Sequence, residues 1–223
     1  MDMSVSRIKR GARNFIHREF FRDQALLEGK RWKKDKAQAR LLYDFDLNSG
    51  DIVVDIGGFL GEYAEEMVSR YGATVHLFEP VSAFHRLCTE KFADEPRVLV
   101  HPYALGDSDC RLTISDAADA SSLKNATQGS GEIIDVREAA SVMASLGIDA
   151  IGLIKMNIEG AEYDVLPALL NSGVVARSRY LLIQFHTVGD YRVNREALRD
   201  RLRETHDEMW CYDFVWEAWR LRD

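Results

Sequence analysis

Short apolar runs recur along this chain, and most are followed by segments in which apolar positions return every three or four residues. The clearest runs are 52–56, 74–78, 97–101, 151–159 and 180–186, rich in Ile, Val and Leu. Continuous apolar runs of this kind predict parallel strands covered on both faces. Helical spacing follows the first run to about Tyr71, with Tyr63, Ala64, Met67 and Val68 on one face. It returns over 82–92, 137–146, 161–170 and 194–205. Strands alternating with helices predict an α/β fold, a mostly parallel sheet with helices on both faces. Apolar stretches at 111–114 and 133–136 predict further short strands, 103–107 a turn, and the polar stretch 116–131 an irregular loop. The tail from Met209 to Leu221 is aromatic and strand-like. Upstream, two helices are predicted over 4–22 and 23–45, the second capped by Asp23. The turn Asn48-Ser49-Gly50-Asp51 divides this N-terminal helical extension, residues 1–48, from the α/β domain, residues 49–223.

The first strand ends in a glycine turn, Gly57-Gly58-Phe59-Leu60-Gly61, and the second strand ends in Glu79, 22 residues beyond Gly57. In a β-α-β unit this offset sets a carboxylate at a strand tip beside the turn, within reach of a ribose. Dinucleotides and S-adenosylmethionine (SAM) both carry a ribose diol. A dinucleotide turn reads G-x-G-x-x-G and offers amides to a pyrophosphate. Here Phe59 stands where the second glycine of that pattern would be, and Asp55 suits a cationic amino group better than a phosphate. The turn therefore favours SAM.

Length and composition fit one α/β domain with a helical extension: 223 residues, 46% hydrophobic. No stretch is long and apolar enough to span a membrane, and the basic N-terminus lacks the apolar core of a secretory signal. The three scattered cysteines contain no C-x-x-C pair and predict reduced, mostly buried thiols in a cytoplasmic protein. Residues 1–46 carry a balance of +5, while the whole chain is at −7. An acidic main domain argues against specific nucleic-acid recognition. A homodimer is an open expectation.

Four predicted strands end in polar groups: Asp55, Glu79, the segment Asn157 to Glu159, and His186. Ligands of parallel sheets bind beyond the carboxyl ends of strands, so these residues outline a site. The segments VDIGGFLGEYA, HLFEP, YALGD, Ser121-Ser122, IGLIKMNIEGAEYDVL and IQFH, in this order and spacing, resemble the FkbM-type SAM-dependent methyltransferases over about residues 51–219. The resemblance implies a Rossmann-like, class I methyltransferase sheet of seven strands, the last antiparallel. It also implies O-methylation of a hydroxyl on a sugar, glycan precursor or natural product. By position, Asp55, Gly57, Gly58, Phe59 and Gly61 would hold the methionine part of SAM, and Glu79 the ribose. Ala104-Leu105 and Ser121-Ser122 would lie near the adenine or the loop over it. Many members have Asp where this chain has Asn157. An amide is a poor metal ligand and no base, so a metal is not expected to take part.

Methyl transfer to an alcohol requires the acceptor oxygen to lose a proton, so a general base helps. His186, with an ordinary pKa near ~6.5, is expected neutral at cellular pH and is the first candidate. Glu159 is the second, as base or as a group orienting the acceptor, with Asn157 beside it. Two plainer readings stay open: His186 as a structural hydrogen-bonding group, and Glu159 as a cap for the helix near Ala161. No His/Cys/Asp cluster has zinc-site spacing. The rival functions are a nicotinamide-dependent oxidoreductase and a silent methyltransferase-like scaffold. A missing Tyr-x-x-x-Lys set disfavours the first, and Asn157 keeps the second in view.

Overall fold

The computed structural model describes residues 25–115, 131–187 and 191–223. The helix expected over 4–22, the Asp23 cap and Ser121-Ser122 lie outside these residues. After a helical segment over 25–34 (α1), the elements are α2 (Ala37–Leu41), β1 (Ile52–Ile56), α3 (Glu62–Tyr71), β2 (Thr74–Phe78), α4 (Ser82–Lys91) and β3 (Val98–His101). Next come β4 (Ala104–Gly106), β5 (Cys110–Ser115), β6 (Gly131–Glu138), α5 (Ala139–Ser145), β7 (Ile151–Met156) and α6 (Glu162–Asn171). The chain ends with β8 (Ser178–Ile183), α7 (Tyr191–Leu202), β9 (His206–Tyr212) and β10 (Trp216–Leu221).

Seven strands form one sheet in the order β3-β2-β1-β7-β8-β10-β9. Neighbours from β3 to β8 pair in parallel, and β10 runs antiparallel to both β8 and β9. This is the Rossmann-like α/β architecture expected from the sequence, with its last strand reversed. Side chains alternate between faces, as a period of two requires. Val54, Ile154 and Leu181 join the core under α5, α6 and α7, whereas Val53, Leu153 and Leu182 join the core under α3. Helix α3 shows the logic locally. Tyr63, Ala64, Met67 and Val68 form its buried face, and Gly72, in the left-handed conformation at φ 66°, ends it by donating its N–H to the Val68 carbonyl. Burying Met67 completely contributes about 1.5–3 kcal/mol.

Several elements differ from the sequence-based expectation. The helix expected over 23–45 breaks at Lys36, which takes φ 51°. Trp32 and Ala37, both buried in the core shared with β1, would point about 140° apart on an unbroken helix; the break brings both inward. Residues 104–106 form a strand rather than a simple turn, within a second sheet ordered β4-β6-β5. The aromatic tail is a hairpin of two strands turning at Phe214 (φ 59°). Its aromatic residues serve packing: Trp219 and Tyr212 are buried, and Trp32 packs on both Trp210 and Tyr212. Of the three thiols only Cys88 is buried, and Cys110 is exposed. Among the described residues, no helix is long and apolar enough to cross a membrane.

Candidate active site

The polar residues at the strand ends do gather at the carboxyl edge of the central sheet, though Asn157 to Glu159 and His186 sit in the loops after β7 and β8 rather than inside the strands. At β1, the N–H groups of Gly57 and Gly58 both donate to the Phe78 carbonyl, which ties the turn to β2. Gly57 has φ +85°, and a Cβ there would lie 2.1 Å from the Asn157 carbonyl oxygen. Only glycine fits this conformation and this contact. Gly61 (φ +73°) faces Phe92, whose ring a Cβ would meet at 2.6 Å. Phe59 is a non-glycine residue with φ 50°, exposed at 53%, with its ring 4.5 Å from that of Phe84.

Glu79 is buried, and each of its carboxylate oxygens accepts one backbone amide: Phe59 N at 2.8 Å and Val81 N at 2.9 Å. Burial pushes its carboxyl up, and the two amide hydrogen bonds work against that. The acid at the tip of β2 thus braces the glycine turn directly. An ionised carboxylate offers about four acceptor sites, so each oxygen keeps one lone pair for a further donor.

Asp55 is fully buried. Its Oδ1 lies 2.8 Å from Lys155 Nζ, which also donates to the Gly57 carbonyl at 2.6 Å. Burial pushes the Asp55 carboxyl up, and the Lys155 charge and hydrogen bond oppose it. Among the described residues, Asp55 Oδ2 and Asn157 Oδ1 are buried acceptors without a partner, and the Asn157 main chain lies against Gly57. Buried polar atoms of this kind normally find a donor. A ligand ammonium, with three N–H bonds and a positive charge, matches both. The residues present therefore fit the amino-acid end of SAM.

At the other side, three side chains form one charged cluster. His186 Nδ1 is 2.8 Å from Glu162 Oε1, and His186 Nε2 is 3.3 Å from Glu159 Oε1. Burial alone would lower the His186 pKa, but the hydrogen bonds and charges of Glu159 and Glu162 outweigh it and raise the value to about 9. Against the expectation of a neutral imidazole, the ring carries its proton at pH 7. Hydrogen bonding to His186 in turn lowers the Glu159 pKa against the opposing effect of burial, so Glu159 is a carboxylate. It takes φ 54° and is followed by Gly160 at φ 104°.

Sequence reasoning missed Glu162 and Lys155. Glu162 is fully buried and accepts from Ile158 N and Gly160 N, both at 2.9 Å. It, rather than Glu159, organises the left-handed turn into α6, while Glu159 stays 34% exposed. A signal existed for Lys155, since a charged side chain inside the apolar run 151–156 must be paired if it is buried. The Tyr163 hydroxyl donates to the His186 carbonyl at 2.9 Å and holds the loop after β8. Ala104, expected near the adenine, lies on β4 and is buried against Ile134 and Val136. Ser122 lies outside the described residues. His76 and His101 stack and hydrogen-bond each other at 3.1 Å; burial and neighbouring positive groups hold His101 down to about 4. Among the described residues, no group of three or more His, Cys, Asp or Glu could hold a metal ion.

Comparison with known proteins adds to this geometry. The family description "Methyltransferase FkbM domain" matches residues 55–213. A protein of Streptomyces tacrolimicus named 31-O-demethyl-FK506 methyltransferase FkbM is 24% identical over 220 residues, covering 83% of this chain and 79% of that one. Among solved structures, a protein of Clostridium thermocellum described as a candidate rRNA methylase superposes with a TM-score of 0.52 at 12% identity, over 82% of this chain and 92% of that one. At that identity the likeness concerns the fold alone.

Proposed function

The chain belongs to the FkbM methyltransferase family, and from that premise we propose that it is a SAM-dependent O-methyltransferase acting on a hydroxyl of a sugar, glycan precursor or natural product. The observation that carries the cofactor reading is the pair of unpartnered buried acceptors, Asp55 Oδ2 and Asn157 Oδ1, beside the Gly57 turn. SAM, when bound, supplies an electrophilic methyl group on a sulfonium. Everything else falls to the protein.

Asp55 and Asn157 bind the ammonium end. The glycine turn lets the main chain approach the ligand closely. Glu79 takes the ribose hydroxyls on the lone pairs that Phe59 N and Val81 N leave free. On the other side Glu159, partly exposed and ionised, accepts the hydrogen bond of the incoming hydroxyl and aligns its oxygen. A hydroxyl becomes far more acidic as it gains the methyl group, so a carboxylate of low basicity suffices to take the proton late in the step. His186, charged, fixes Glu159; Glu162 fixes His186. This division replaces a histidine base by a carboxylate held by a histidinium. The Streptomyces relative, named for a reaction on 31-O-demethyl-FK506, supports a natural-product hydroxyl as the acceptor.

Isothermal titration of the full chain with SAM and, separately, with NAD tests the cofactor reading. Binding of SAM with a Kd in the micromolar range and no heat from NAD is expected. Binding of NAD without SAM would overturn it.

A further inference from the structure

We propose that Lys155 is a positioning residue for the cofactor, acting through Asp55 to make the pocket select a ligand that carries an amino-acid end. The inference rests on the SAM reading above. Lysine is seldom buried unless paired, yet Lys155 is 5% exposed near the end of β7. Strand register sets it directly beside Asp55 of β1, a neighbour 100 residues away in the chain. One ammonium therefore joins two parts of the turn: the carboxylate before it, at 2.8 Å, and the carbonyl of its first glycine, at 2.6 Å.

This arrangement has two consequences. The Lys155 charge and hydrogen bond oppose the upward push that burial gives the Asp55 carboxyl, and so favour its charged form. Because Lys155 occupies Oδ1 alone, Oδ2 is left oriented, buried and without a partner. A charge-assisted hydrogen bond from a ligand ammonium to that oxygen is of the strong class. Without Lys155, Asp55 would drift toward the neutral acid and the selective contact would weaken. The adenosine part of the ligand, held by Glu79 and the turn, would bind as before.

Two probes separate these parts: S-adenosylhomocysteine, and 5′-methylthioadenosine, which shares the adenosine and thioether but lacks the amino-acid end. In calorimetric titrations the unmodified chain is expected to bind S-adenosylhomocysteine at least tenfold more tightly than methylthioadenosine. Lys155→Met should weaken S-adenosylhomocysteine by about 10–100-fold, the range of a charged hydrogen bond, and leave methylthioadenosine within about twofold. An equal loss for both probes, or undiminished discrimination, overturns the role of Lys155 while leaving the SAM reading intact. If the unmodified chain binds neither probe, the SAM reading itself falls, and the Lys155 role with it. Lys155→Met strands a buried carboxylate, so a second comparison covers a variant that fails to fold. Adding Lys155→Met to Asp55→Asn should cost S-adenosylhomocysteine nothing further, because Lys155 acts through the charge already removed. A further tenfold loss in that background would show an independent role and contradict the proposal.

Discussion

The two halves of the strand-end site hold charge in opposite ways. At the β1 turn one cation, Lys155 reaching across from β7, serves one carboxylate, Asp55, both are buried, and an acceptor oxygen remains unused. Main-chain contacts fix the rest: glycine amides on Phe78, and amides of Phe59 and Val81 on Glu79. On the β7–β8 side one cation serves two carboxylates, and that cation is a histidine that titrates. A rigid half with spare acceptors suits a ligand of constant shape. A half built from coupled side chains suits the step in which a proton moves. On the proposed function, one part of the sheet edge would hold the donor and the other would activate the acceptor.

The strongest way to break this contrast is at the contact where the halves meet. Gly57→Ala would drive a Cβ to 2.1 Å from the Asn157 carbonyl at a φ of +85°, a strain with no side chain free to yield. SAM affinity should fall by more than about a hundredfold, with a lower melting temperature. Affinity within a few-fold of normal would mean that the turn is not held against Asn157.

Glu162→Gln attacks the other half alone. Losing one partner of a buried charged pair costs about 3–5 kcal/mol, or about 6–20 °C in Tm for a chain of this size. SAM affinity of the folded variant should stay within about threefold, while kcat drops by about tenfold or more. A SAM affinity that collapses with Glu162 would show that the two halves are one unit. Glu79→Ala is the milder probe of the rigid half. It should weaken SAM by about 10–100-fold, the value of ~1.5–3 kcal/mol for a charged hydrogen bond. Unchanged affinity would remove Glu79 from the ribose.

Of the first half, the glycine turn and Glu79 were legible, for a physical reason. Its glycines and Glu79 fall within one local β-α-β unit, where offset along the chain translates directly into position. The parallel sheet and its two covered faces followed from apolar runs such as 52–56 and 151–156. The charged half depends on tertiary pairing: His186 meets Glu162 only because β8 lies beside β7, and its protonation state depends on both carboxylates together. Lys155 was equally hidden, since its partner is set by strand order. The strands expected at 111–114 and 133–136 are β5 and β6; β4 reads as a turn in the sequence because it is only three residues long, and its pairing with β6 is set by tertiary structure. Trp32 and Ala37 show packing overriding helical periodicity where α1 breaks.

A smaller effect sharpens the contrast through pH. A histidine whose pKa is raised on folding stabilises the fold fully below its unfolded value near ~6.5, and that contribution disappears as pH rises through about 9. It amounts to something on the order of 1–3 kcal/mol, so Tm should decline by several degrees between pH 7 and 10. His186→Gln should flatten that decline. An equal decline in the variant would assign it to other groups.

The most direct test of the charged half needs neither cofactor nor acceptor. In a nitrogen-detected NMR titration of the full chain, the His186 ring should stay doubly protonated through neutral pH and lose its proton near pH 9. A midpoint near ~6.5 or below would contradict the ion cluster and return the ring to the role of a neutral base.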